Sequence, residues 1–431
     1  MLKILIVYWN NAPTMRITTQ DHLYCFERHL NHEITYLNVE DDVDEGALRD
    51  SDFDIIIFHD LFFCGRWGGP PLFHRLCAKI DILREYRAVK LAIPQDEFIS
   101  ADLLCEFIND FDVDAVFSVT PPSEWPKVYR DVDRDKVRFY PVLTGYLEHE
   151  TLAVIHALEA ASSGERLIDI GYRAGGRNWR QASWLGRHGM LKIEIADRFA
   201  NAATGHGLRT DISTRSEDTF AGQEWYKFLL RCKYTIGLEG GASILDWDGT
   251  IRPKTLAFVE QNPEATLEEI EAACFPGLDG TLALFALSPR HLEACATGTC
   301  QILIEGDYNG VLEPWRHYIP VKKDFSDLDV ILKLLEQDEL RERLVKQAYH
   351  DIVESDRYTY KKFAEFVVEE ASTIRPDMLD GSLRNTRRVP VNRTKLPRKI
   401  EPDHPKAADR PVGVSILRRA IRRVGKAMRV G

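Results

Sequence analysis

The stretch SPRHLEACATGTCQILIEG, residues 288–306, predicts a helix that leads directly into a buried strand. A loop enters the helix near Ser288, small residues fill ACATGT, and the apolar run QILIEG follows. Small residues let a helix pack close to a sheet, and near-continuous apolar strands are typical of parallel sheets covered on both faces. A helix N terminus at such an edge offers backbone N–H groups and a positive dipole end to an anion such as a diphosphate.

The same alternation of strand and helix extends outward through the second half of the chain. The predicted strands are 166–173, 208–213, 233–241, 301–306 and 317–321, and the predicted helices include 288–298, 328–353 and 358–372. The segment YPVLTGYLEHETLAVI (140–155) is interpreted as a hinge that leads into a helix. The second half therefore predicts one doubly wound unit.

The first half repeats this architecture. Its predicted strands are 2–9, 33–39, 54–60, 89–97 and 114–120, with helices over 21–30 and 74–86. Ligands of open parallel sheets bind beyond the carboxyl ends of the strands. Five polar residues fall at those ends, and we expect them to face a ligand: His59, Asp60, Gln95, Asp96 and Glu97.

The fold class that follows is α/β, with two doubly wound Rossmann-like domains that face each other across a cleft. We place the boundaries at 1–148 for the first domain and 149–374 for the second. Residues 375–412 are rich in Pro, Arg and Lys and predict a disordered linker.

Charge is distributed unevenly along the chain. The net charge is −11, yet residues 375–431 carry 16 Lys and Arg against 5 Asp and Glu. The last segment, 413–431, predicts a helix with apolar residues such as Leu417, Ile421 and Val424 on one face and arginines around the other. Such a helix is typical of binding to an anionic membrane surface. We favour that partner over a plain solvated tail or nucleic acid.

The eight cysteines are scattered, and none lies at Cys-x-x-Cys spacing. This pattern predicts neither a zinc knuckle nor a disulfide framework. It indicates free, mostly buried thiols in a reducing cytoplasm.

A short motif suggests a different chemistry. Asp246-Trp247-Asp248-Gly249-Thr250 is similar to the nucleophile loop of the haloacid-dehalogenase-like phosphatases, which would need Mg²⁺. The preceding EGGASIL gives only a very short strand, and EGDYNG (305–310) supplies one Asp where an acidic pair is wanted. An Asp-Gly turn stabilised by side-chain hydrogen bonds explains the residues as well, so the phosphatase is the alternative and not the first choice.

Taken together, several blocks resemble one subgroup of the bacterial GT-B glycosyltransferases, of the broad retaining type that includes the glycosyltransferase group 1 or family 4-like enzymes of surface-polysaccharide assembly. The resemblance covers about residues 1–372, in order. The blocks are QDE (95–97), LTGY (143–146), IGYR (170–173), LEGGASILDWDG (238–249), SPRHLEACATGTCQILIEG (288–306) and HYIPVKKDFSDLD (317–329).

The resemblance implies a GT-B fold and a donor site in the second domain. Glu293 would accept hydrogen bonds from ribose hydroxyls, a role that carboxylates play in other nucleotide sites. The cations Arg173 and Lys192 would stabilise the leaving diphosphate, as charged donors do in transition states; Arg177 and Arg187 are alternatives. The remaining donor-binding candidates are Ser288, Arg290, Glu239, Gly240 and Gly241.

One position departs from the family pattern. Many of these enzymes have two glutamates eight positions apart, and position 285, where the first would stand, is Phe. Glu239 is a candidate substitute. In the first domain, His59, Asp60, Gln95 and Glu97 would bind the acceptor, with Asp96 as the carboxylate near the acceptor hydroxyl; strand-end caps or salt bridges are the alternative.

The sequence thus predicts a hexosyltransferase-like enzyme of retaining type. It would move a sugar from a nucleotide-diphosphate sugar to a glycan or lipid-linked acceptor in cell-surface polysaccharide synthesis, with no metal and no cofactor. We expect it in the cytoplasm, peripheral on the inner face of the membrane. A non-catalytic GT-B scaffold is the other alternative.

Overall fold

The computed structural model describes residues 1–12, 15–175 and 179–374, which form two parallel sheets with helices on both faces. The first sheet has six strands in the order β2-β1-β3-β4-β5-β6. They are β1 (Lys3–Tyr8), β2 (Glu33–Asn38), β3 (Ile55–Phe58), β4 (Val89–Ala92), β5 (Ala115–Ser118) and β6 (Arg138–Pro141). The helices that accompany it are α1 (Ile17–His29), α2 (Glu45–Arg49), α3 (Asp60–Phe63), α4 (Pro70–Lys79), α5 (Ala101–Asp110) and α6 (Trp125–Val128). We call this unit the first lobe.

The second lobe contains a five-stranded sheet in the order β13-β12-β9-β7-β8. Its strands are β7 (Ile168–Arg173), β8 (Thr210–Ser213), β9 (Cys232–Gly237), β12 (Cys300–Ile304) and β13 (Tyr318–Val321). A short antiparallel pair, β10 (Gly240–Ala242) with β11 (Leu284–Ala286), lies beside it.

The helices after the first lobe begin with α7, which connects the two sheets. They are α7 (His149–Ala160), α8 (Trp179–Ala182), α9 (Gly186–Gly205), α10 (Gln223–Leu230), α11 (Ile251–Gln261), α12 (Leu267–Cys274), α13 (Pro289–Ala296), α14 (Leu328–Leu334), α15 (Asp338–Ala348) and α16 (Tyr360–Ile374).

The predicted α/β class with two doubly wound sheets is confirmed. Every strand pair within the two large sheets is parallel. The physical reason is visible in β3, whose sequence IIIF is buried along its whole length. Strands with apolar side chains on both faces need helices on both sides to exclude water.

Several elements differ from the sequence prediction, among them β11, which was not predicted as a strand. Strand β6 was not predicted and overlaps the start of the segment interpreted as a hinge. Its sequence RFYP is only half-buried because it is an edge strand, so it has no apolar run. The predicted strand 233–241 divides into β9 and β10. The predicted helix 328–353 divides into α14, α15 and a π-helical turn over Tyr349–Glu354.

A segment of the second half packs against the first lobe. This bridging segment, residues 243–283, carries α11 and α12, and its buried Ile244, Val259 and Phe275 share one core with the first lobe. The Asp246 backbone accepts from the Ser100 N–H at 2.8 Å and donates to the Phe98 carbonyl at 2.8 Å. The two lobes are therefore joined on this side by backbone hydrogen bonds and a common apolar core.

The last described helix, α16, also packs on the first lobe. Its Phe363 and Val367 belong to the core that contains Leu23 and Phe26 of α1. The chain thus crosses from the first lobe to the second and back again. The boundary between 148 and 149 stays a prediction, and α16 lies with the first lobe by packing although it follows the second lobe in sequence.

The tail predictions, a linker over 375–412 and a basic helix over 413–431, lie outside the described residues. Within the described part of the chain, no helix is both long enough and apolar enough to cross a bilayer.

Candidate functional site

A cavity of about 320 Å³ opens at the carboxyl edge of the second sheet. The ends of β7 and β9 form its floor, α9 and α10 form two walls, and the N-terminal end of α13 forms a third. The cavity lies where parallel sheets place their ligands, because the strand ends and the helix N termini meet there. We call it the donor pocket.

Five of the residues predicted to act on the donor line this pocket: Arg173, Lys192, Gly240, Ser288 and Arg290. They come from β7, α9, β10 and the start of α13, and the sheet brings them together from positions more than a hundred residues apart. Ser288 is the residue before α13, with an extended backbone and no side-chain cap to the helix. The first turn of α13 therefore faces the pocket together with the cationic side chains of Arg173, Lys192 and Arg290.

Arg290 is held at the pocket wall by two contacts. Its Nη1 donates to the carbonyl oxygen of Arg173, and its guanidinium lies over the Trp225 ring at 5.2 Å from the centroid. Trp225, on α10, also lines the pocket. Cation–π stacking and one anchoring hydrogen bond fix the orientation of the guanidinium and leave further N–H groups of the fork for an anion.

The guanidinium of Arg173 is already hydrogen-bonded to other groups of the protein. It donates to the carbonyls of Tyr172, Asp211 and Asp218 and to the Asp211 carboxylate, the last at 2.7 Å. It also lies over the rings of Phe220 and Phe228. A structural role explains these contacts, and a contact with the diphosphate would require Arg173 to give them up. Of the alternatives, Arg187 pairs with Asp279 and Glu271, and Arg177 lies outside the described residues.

Glu293 lies behind the pocket wall, with 8% of its surface exposed. Its Oε2 accepts a hydrogen bond from the Trp225 indole N–H at 2.8 Å. Burial raises the pKa of this carboxyl, and the Trp225 hydrogen bond opposes the shift. The geometry shows Glu293 fixing Trp225. Direct contact with ribose stays a prediction and would require the indole to move.

Glu239 does not face the pocket. Its Oε1 accepts from the Tyr308 backbone N–H at 2.7 Å, and its Oε2 lies so close to Gly306 that a Cβ there would be 2.2 Å away. Burial raises the pKa of the carboxyl. Glu239 therefore holds the loop after β12, and this position does not support its predicted donor-binding role.

Of the two neighbouring glycines, Gly240 lines the donor pocket and Gly241 does not. Gly241 has φ of 111°, and a Cβ on it would lie 1.9 Å from the Leu284 carbonyl oxygen. Glycine is required here by the close approach of β10 to β11. The predicted donor contact of Gly241 stays a prediction.

Phe285 stands where the family pattern has its first glutamate. Its ring stacks on the imidazole of His188. The rings of Phe285 and His188 are 3.9 Å apart at 28°, and the Lys323 ammonium is 5.7 Å from the Phe285 centroid. Burial lowers the pKa of His188 to about 4, so the ring is neutral at pH 7.

The acceptor-side residues divide into two groups. Asp96 is exposed at the carboxyl edge of the first sheet, with φ of 50°, and the Gln95 amide donates to the Thr144 carbonyl between the lobes at 3.1 Å. His59 and Asp60 lie at the end of β3, with His59 fully buried. Gln95, Asp96 and the partly exposed Asp60 keep positions near the edge where an acceptor would bind. The His59 side chain is 0% exposed and lies 2.7 Å from His22, so its predicted acceptor contact is not supported.

Glu97 requires a correction. Its side chain is 0% exposed and accepts from the Ser118 hydroxyl at 2.5 Å, the Thr120 hydroxyl at 2.8 Å and the Tyr129 hydroxyl. Burial raises its pKa, and these donors oppose the shift. The chain turns at the exposed Asp96, so the next side chain points into the core and cannot reach an acceptor.

The phosphatase alternative is also contradicted. The two carboxylate oxygens of Asp246 accept from the backbone N–H groups of Ile251 and Arg252, both at 2.9 Å. The residue is fully buried, and Asp248 accepts from Thr250 in a local turn. Asp246 therefore binds the first two N–H groups of α11 from a fully buried position, which does not present its carboxylate to a phosphorylated substrate. Among the described residues, the two aspartates form no group that could hold a metal ion.

Replacing Asp246 by alanine is expected to lower the free energy of unfolding by about 2 kcal/mol, because α11 loses the acceptor for its first two N–H groups. Asp248→Ala, the matched control in the same loop, should change it by less than about 0.5 kcal/mol. Urea denaturation measures both. Neither variant should alter hydrolysis of a generic phosphomonoester with or without Mg²⁺, and loss of a robust Mg²⁺-dependent activity in Asp248→Ala would restore the phosphatase.

Trp225 is the site residue that sequence reasoning missed. It occurs in QEWYKFLL, an ordinary amphipathic helix in which a partly apolar Trp is expected to pack. Its importance comes from two partners, Glu293 and Arg290, that are more than sixty positions away. No local signal identifies it.

No protein-family model and no curated protein sequence matches this chain. Among solved structures it is similar to the Anabaena protein HepE in complex with UDP and glucose, with 9% identity, coverage of 86% of this chain and 100% of that chain, and a TM-score of 0.48. It is also similar to a glycosyltransferase from Rickettsia africae, with 10% identity, coverage of 86% of this chain and 98% of that chain, and a TM-score of 0.48. Sucrose-phosphate synthase from Thermosynechococcus elongatus has 9% identity, coverage of 89% of this chain and 100% of that chain, and a TM-score of 0.48. These likenesses accompany the α/β architecture described above and carry no argument about substrate.

Proposed function

We propose that the chain is a glycosyltransferase of the GT-B type, which takes a nucleotide-diphosphate sugar in the donor pocket. The observation that supports this most is the convergence of Lys192, Arg290 and the first turn of α13 on one cavity. Two cations and a helix N terminus bind a diphosphate in the ground state and stabilise the charge that develops on it as the glycosidic bond breaks. The sequence resemblance supports the same reaction.

In this proposal each residue of the donor pocket has a distinct role. Lys192 and Arg290 hold the diphosphate oxygens, and the α13 N terminus adds the positive end of its dipole. Trp225 forms an aromatic wall, fixed by Glu293 from behind and Arg290 from the pocket side. The acceptor hydroxyl would approach from the first lobe, where Asp96 is the exposed carboxylate. We propose the retaining type and a requirement for no metal.

The test is a panel of UDP, GDP and dTDP sugars measured by thermal shift and by release of the nucleoside diphosphate, with and without EDTA. A ligand that binds only the folded state stabilises it by an amount that grows with the logarithm of its concentration divided by Kd, and it raises the melting temperature accordingly. We expect one nucleotide class to stabilise the protein and to turn over with a glycan or lipid-linked acceptor in EDTA. Stabilisation without any turnover favours the non-catalytic scaffold, for which Phe285 at the first glutamate position is the supporting observation, and no stabilisation contradicts the proposal.

Glu293→Ala is expected to weaken nucleotide binding by about tenfold, because Trp225 loses the hydrogen bond that fixes it and one such bond to a charged group contributes about 1.5 kcal/mol. Glu293→Gln keeps an oxygen acceptor, and Trp225→Phe keeps the aromatic wall without the N–H. Isothermal calorimetry of these variants distinguishes two roles of Glu293, the positioning of Trp225 and direct contact with ribose. Near-normal affinity in Glu293→Gln with a loss in Trp225→Phe supports positioning of Trp225, and the reverse result supports direct contact with ribose.

We further propose an acceptor in cell-surface polysaccharide synthesis and a peripheral location on the cytoplasmic face of the membrane, through the basic segment 413–431. The positive charge of the tail supports this location, because it favours binding to anionic lipid. Vesicles of phosphatidylglycerol and phosphatidylcholine test it by co-sedimentation of the full chain against a chain ending at 412. Equal binding of the two proteins would remove the membrane role of the segment.

A further inference from the structure

A loop at the carboxyl edge of the first sheet carries Asp96, the exposed carboxylate on the acceptor side. This strand-end loop covers residues 95–100, between β4 and α5. Asp96 and Ser100 both have a left-handed backbone, with φ of 50° and 47°. Residues other than glycine adopt this conformation at a cost in free energy, and it persists where neighbouring contacts fix it, often at functional sites. The contacts of the loop therefore show what holds Asp96 in place.

Arg66 holds the strand-end loop from inside the first lobe. The residue is 1% exposed, and its guanidinium donates to the carbonyl oxygens of Gln95 at 3.0 Å, Ile99 at 2.8 Å and Phe63 at 3.1 Å. Burial of a guanidinium costs free energy that its hydrogen bonds must offset. The rigid planar fork binds the two ends of the loop at once, so the backbone on both sides of Asp96 is fixed.

Glu97, the residue after Asp96, is held by separate contacts. Its buried carboxylate accepts hydrogen bonds from three hydroxyl groups of the first lobe. Because Gln95 is fixed through its carbonyl and Glu97 through its side chain, the backbone of Asp96 between them has little freedom to rotate. The Asp96 side chain is therefore kept exposed at the sheet edge.

Two hydrogen bonds connect the strand-end loop to the donor pocket. The Gln95 side-chain amide donates to the Thr144 carbonyl at 3.1 Å, and the Thr144 hydroxyl donates to the Leu287 carbonyl at 2.6 Å. Leu287 directly precedes Ser288, which lines the donor pocket before α13. Thr144 itself lies in the connection from β6 to α7. A shift of Thr144 would therefore change the distance between Asp96 and the pocket.

We propose that Arg66 and Thr144 are positioning residues, which touch no substrate and hold the Asp96 carboxylate where the acceptor hydroxyl meets the donor sugar. This inference rests on the proposed function, because it concerns the same reaction. Arg66 sets the backbone conformation of the strand-end loop, and Thr144 sets its distance from the donor pocket. Reacting atoms must lie about 3–3.5 Å apart, and a displacement of about 1 Å can lower the rate by about a hundredfold.

The experiment measures nucleotide binding and sugar transfer separately in variants of the full chain. The donor probe is the UDP, GDP or dTDP sugar that stabilises the protein most, and the acceptor probes are water and n-octyl glucoside. In Thr144→Val, which removes the hydroxyl and keeps the shape, we expect kcat to fall by about tenfold or more. The Kd of the nucleoside diphosphate should change by less than about threefold. Thr144→Ser restores the hydroxyl and should recover kcat.

Three further variants make the test specific. Asp96→Asn should lose at least as much kcat, since Asn tolerates the left-handed conformation but carries no charge. Arg66→Lys keeps the positive charge without the fork, so it should show the same loss of kcat with faster hydrogen exchange in residues 95–102. Thr281→Val is the matched control, because the exposed Thr281 hydroxyl also donates to a carbonyl at 2.6 Å, that of Leu278; its kcat and Kd should not change.

Normal kcat in Thr144→Val contradicts the inference, and so does failure of Thr144→Ser to recover activity, which assigns the residue to packing. A rise in Kd that accounts for the whole loss assigns Thr144 to the donor pocket alone and also overturns the inference. Circular dichroism of each variant excludes unfolding as the cause of a loss, and Thr144→Val decides the matter if Arg66→Lys does not fold.

The unaltered chain distinguishes failure of this inference from failure of the proposed function. Absence of nucleotide binding by the unaltered chain contradicts the proposed function itself. Nucleotide binding without turnover of either acceptor probe contradicts the inference, because Asp96 then has no reacting hydroxyl to hold. Nucleotide binding with normal turnover in both Thr144→Val and Arg66→Lys contradicts the inference alone.

Discussion

Replacing Arg290 by alanine is expected to weaken binding of a nucleoside diphosphate by roughly 30-fold, about 2 kcal/mol, which is the size of one charge-assisted hydrogen bond with its phosphate partner. The fold should be retained, because within the described part of the chain the side chain donates one hydrogen bond, to the Arg173 carbonyl, and its guanidinium lies over the Trp225 ring. Isothermal calorimetry of the purified chain measures the loss.

Two further variants make this prediction specific. Arg290→Lys keeps the charge but loses the planar fork and its stacking, so it should recover only part of the affinity. Arg198→Ala removes a cation from α9 that pairs with Glu194 on an exposed surface, and it should bind normally. If Arg198→Ala weakened binding as much as Arg290→Ala, the effect would be one of net charge, and the pocket would lose its principal support.

Gly241→Ala should lower the free energy of unfolding by about 3 kcal/mol or more, the largest stability effect we expect. Its φ of 111° is unfavourable for any side chain, and the added Cβ would lie 1.9 Å from the Leu284 oxygen and 2.9 Å from the Leu284 carbonyl carbon. Both are backbone atoms, so the clash can be relieved only by separating β10 from β11. Guanidinium denaturation measures the change.

The adjacent glycine is the matched control. In Gly240→Ala the new Cβ would meet the Ala286 oxygen at 3.6 Å, an ordinary contact. We therefore expect a stability change below about 1 kcal/mol, with any defect appearing in nucleotide binding because Gly240 lines the donor pocket. Equal destabilisation by the two substitutions would show that β10 tolerates no side chain for some reason other than the approach to Leu284.

The alternation of buried strands and helices could be predicted because it is a local property. A run such as IIIF at residues 55–58 is apolar on both faces, and only a covered parallel strand buries it. Edge strand β6 could not be predicted in this way, because an edge strand is half-exposed and its sequence resembles that of a loop. The packing of the bridging segment could not be predicted either, because nothing in residues 243–283 indicates which lobe they will pack against.

For the candidate site, the sequence predicted cations and a helix N terminus at one sheet edge, and five of the predicted donor-side residues line the cavity found there. It could not say which of them face inward. Arg173 ends β7 at the pocket, yet its guanidinium is bound by Asp211 and three carbonyls, which nothing in its sequence indicates. Glu97 follows the exposed Asp96 by one position and is fully buried.

The sequence by itself therefore determined the α/β class, the two doubly wound sheets and the edge at which a ligand would bind, because these follow from hydrophobic periodicity along short stretches. Only the tertiary structure decided which polar side chains are already satisfied by the protein and which face a cavity. The reason is physical: a buried charge must find its partners through space, and the partners of Asp246, Glu239, Glu293 and Arg173 come from elements that are distant in the chain or from turns whose direction the sequence does not fix.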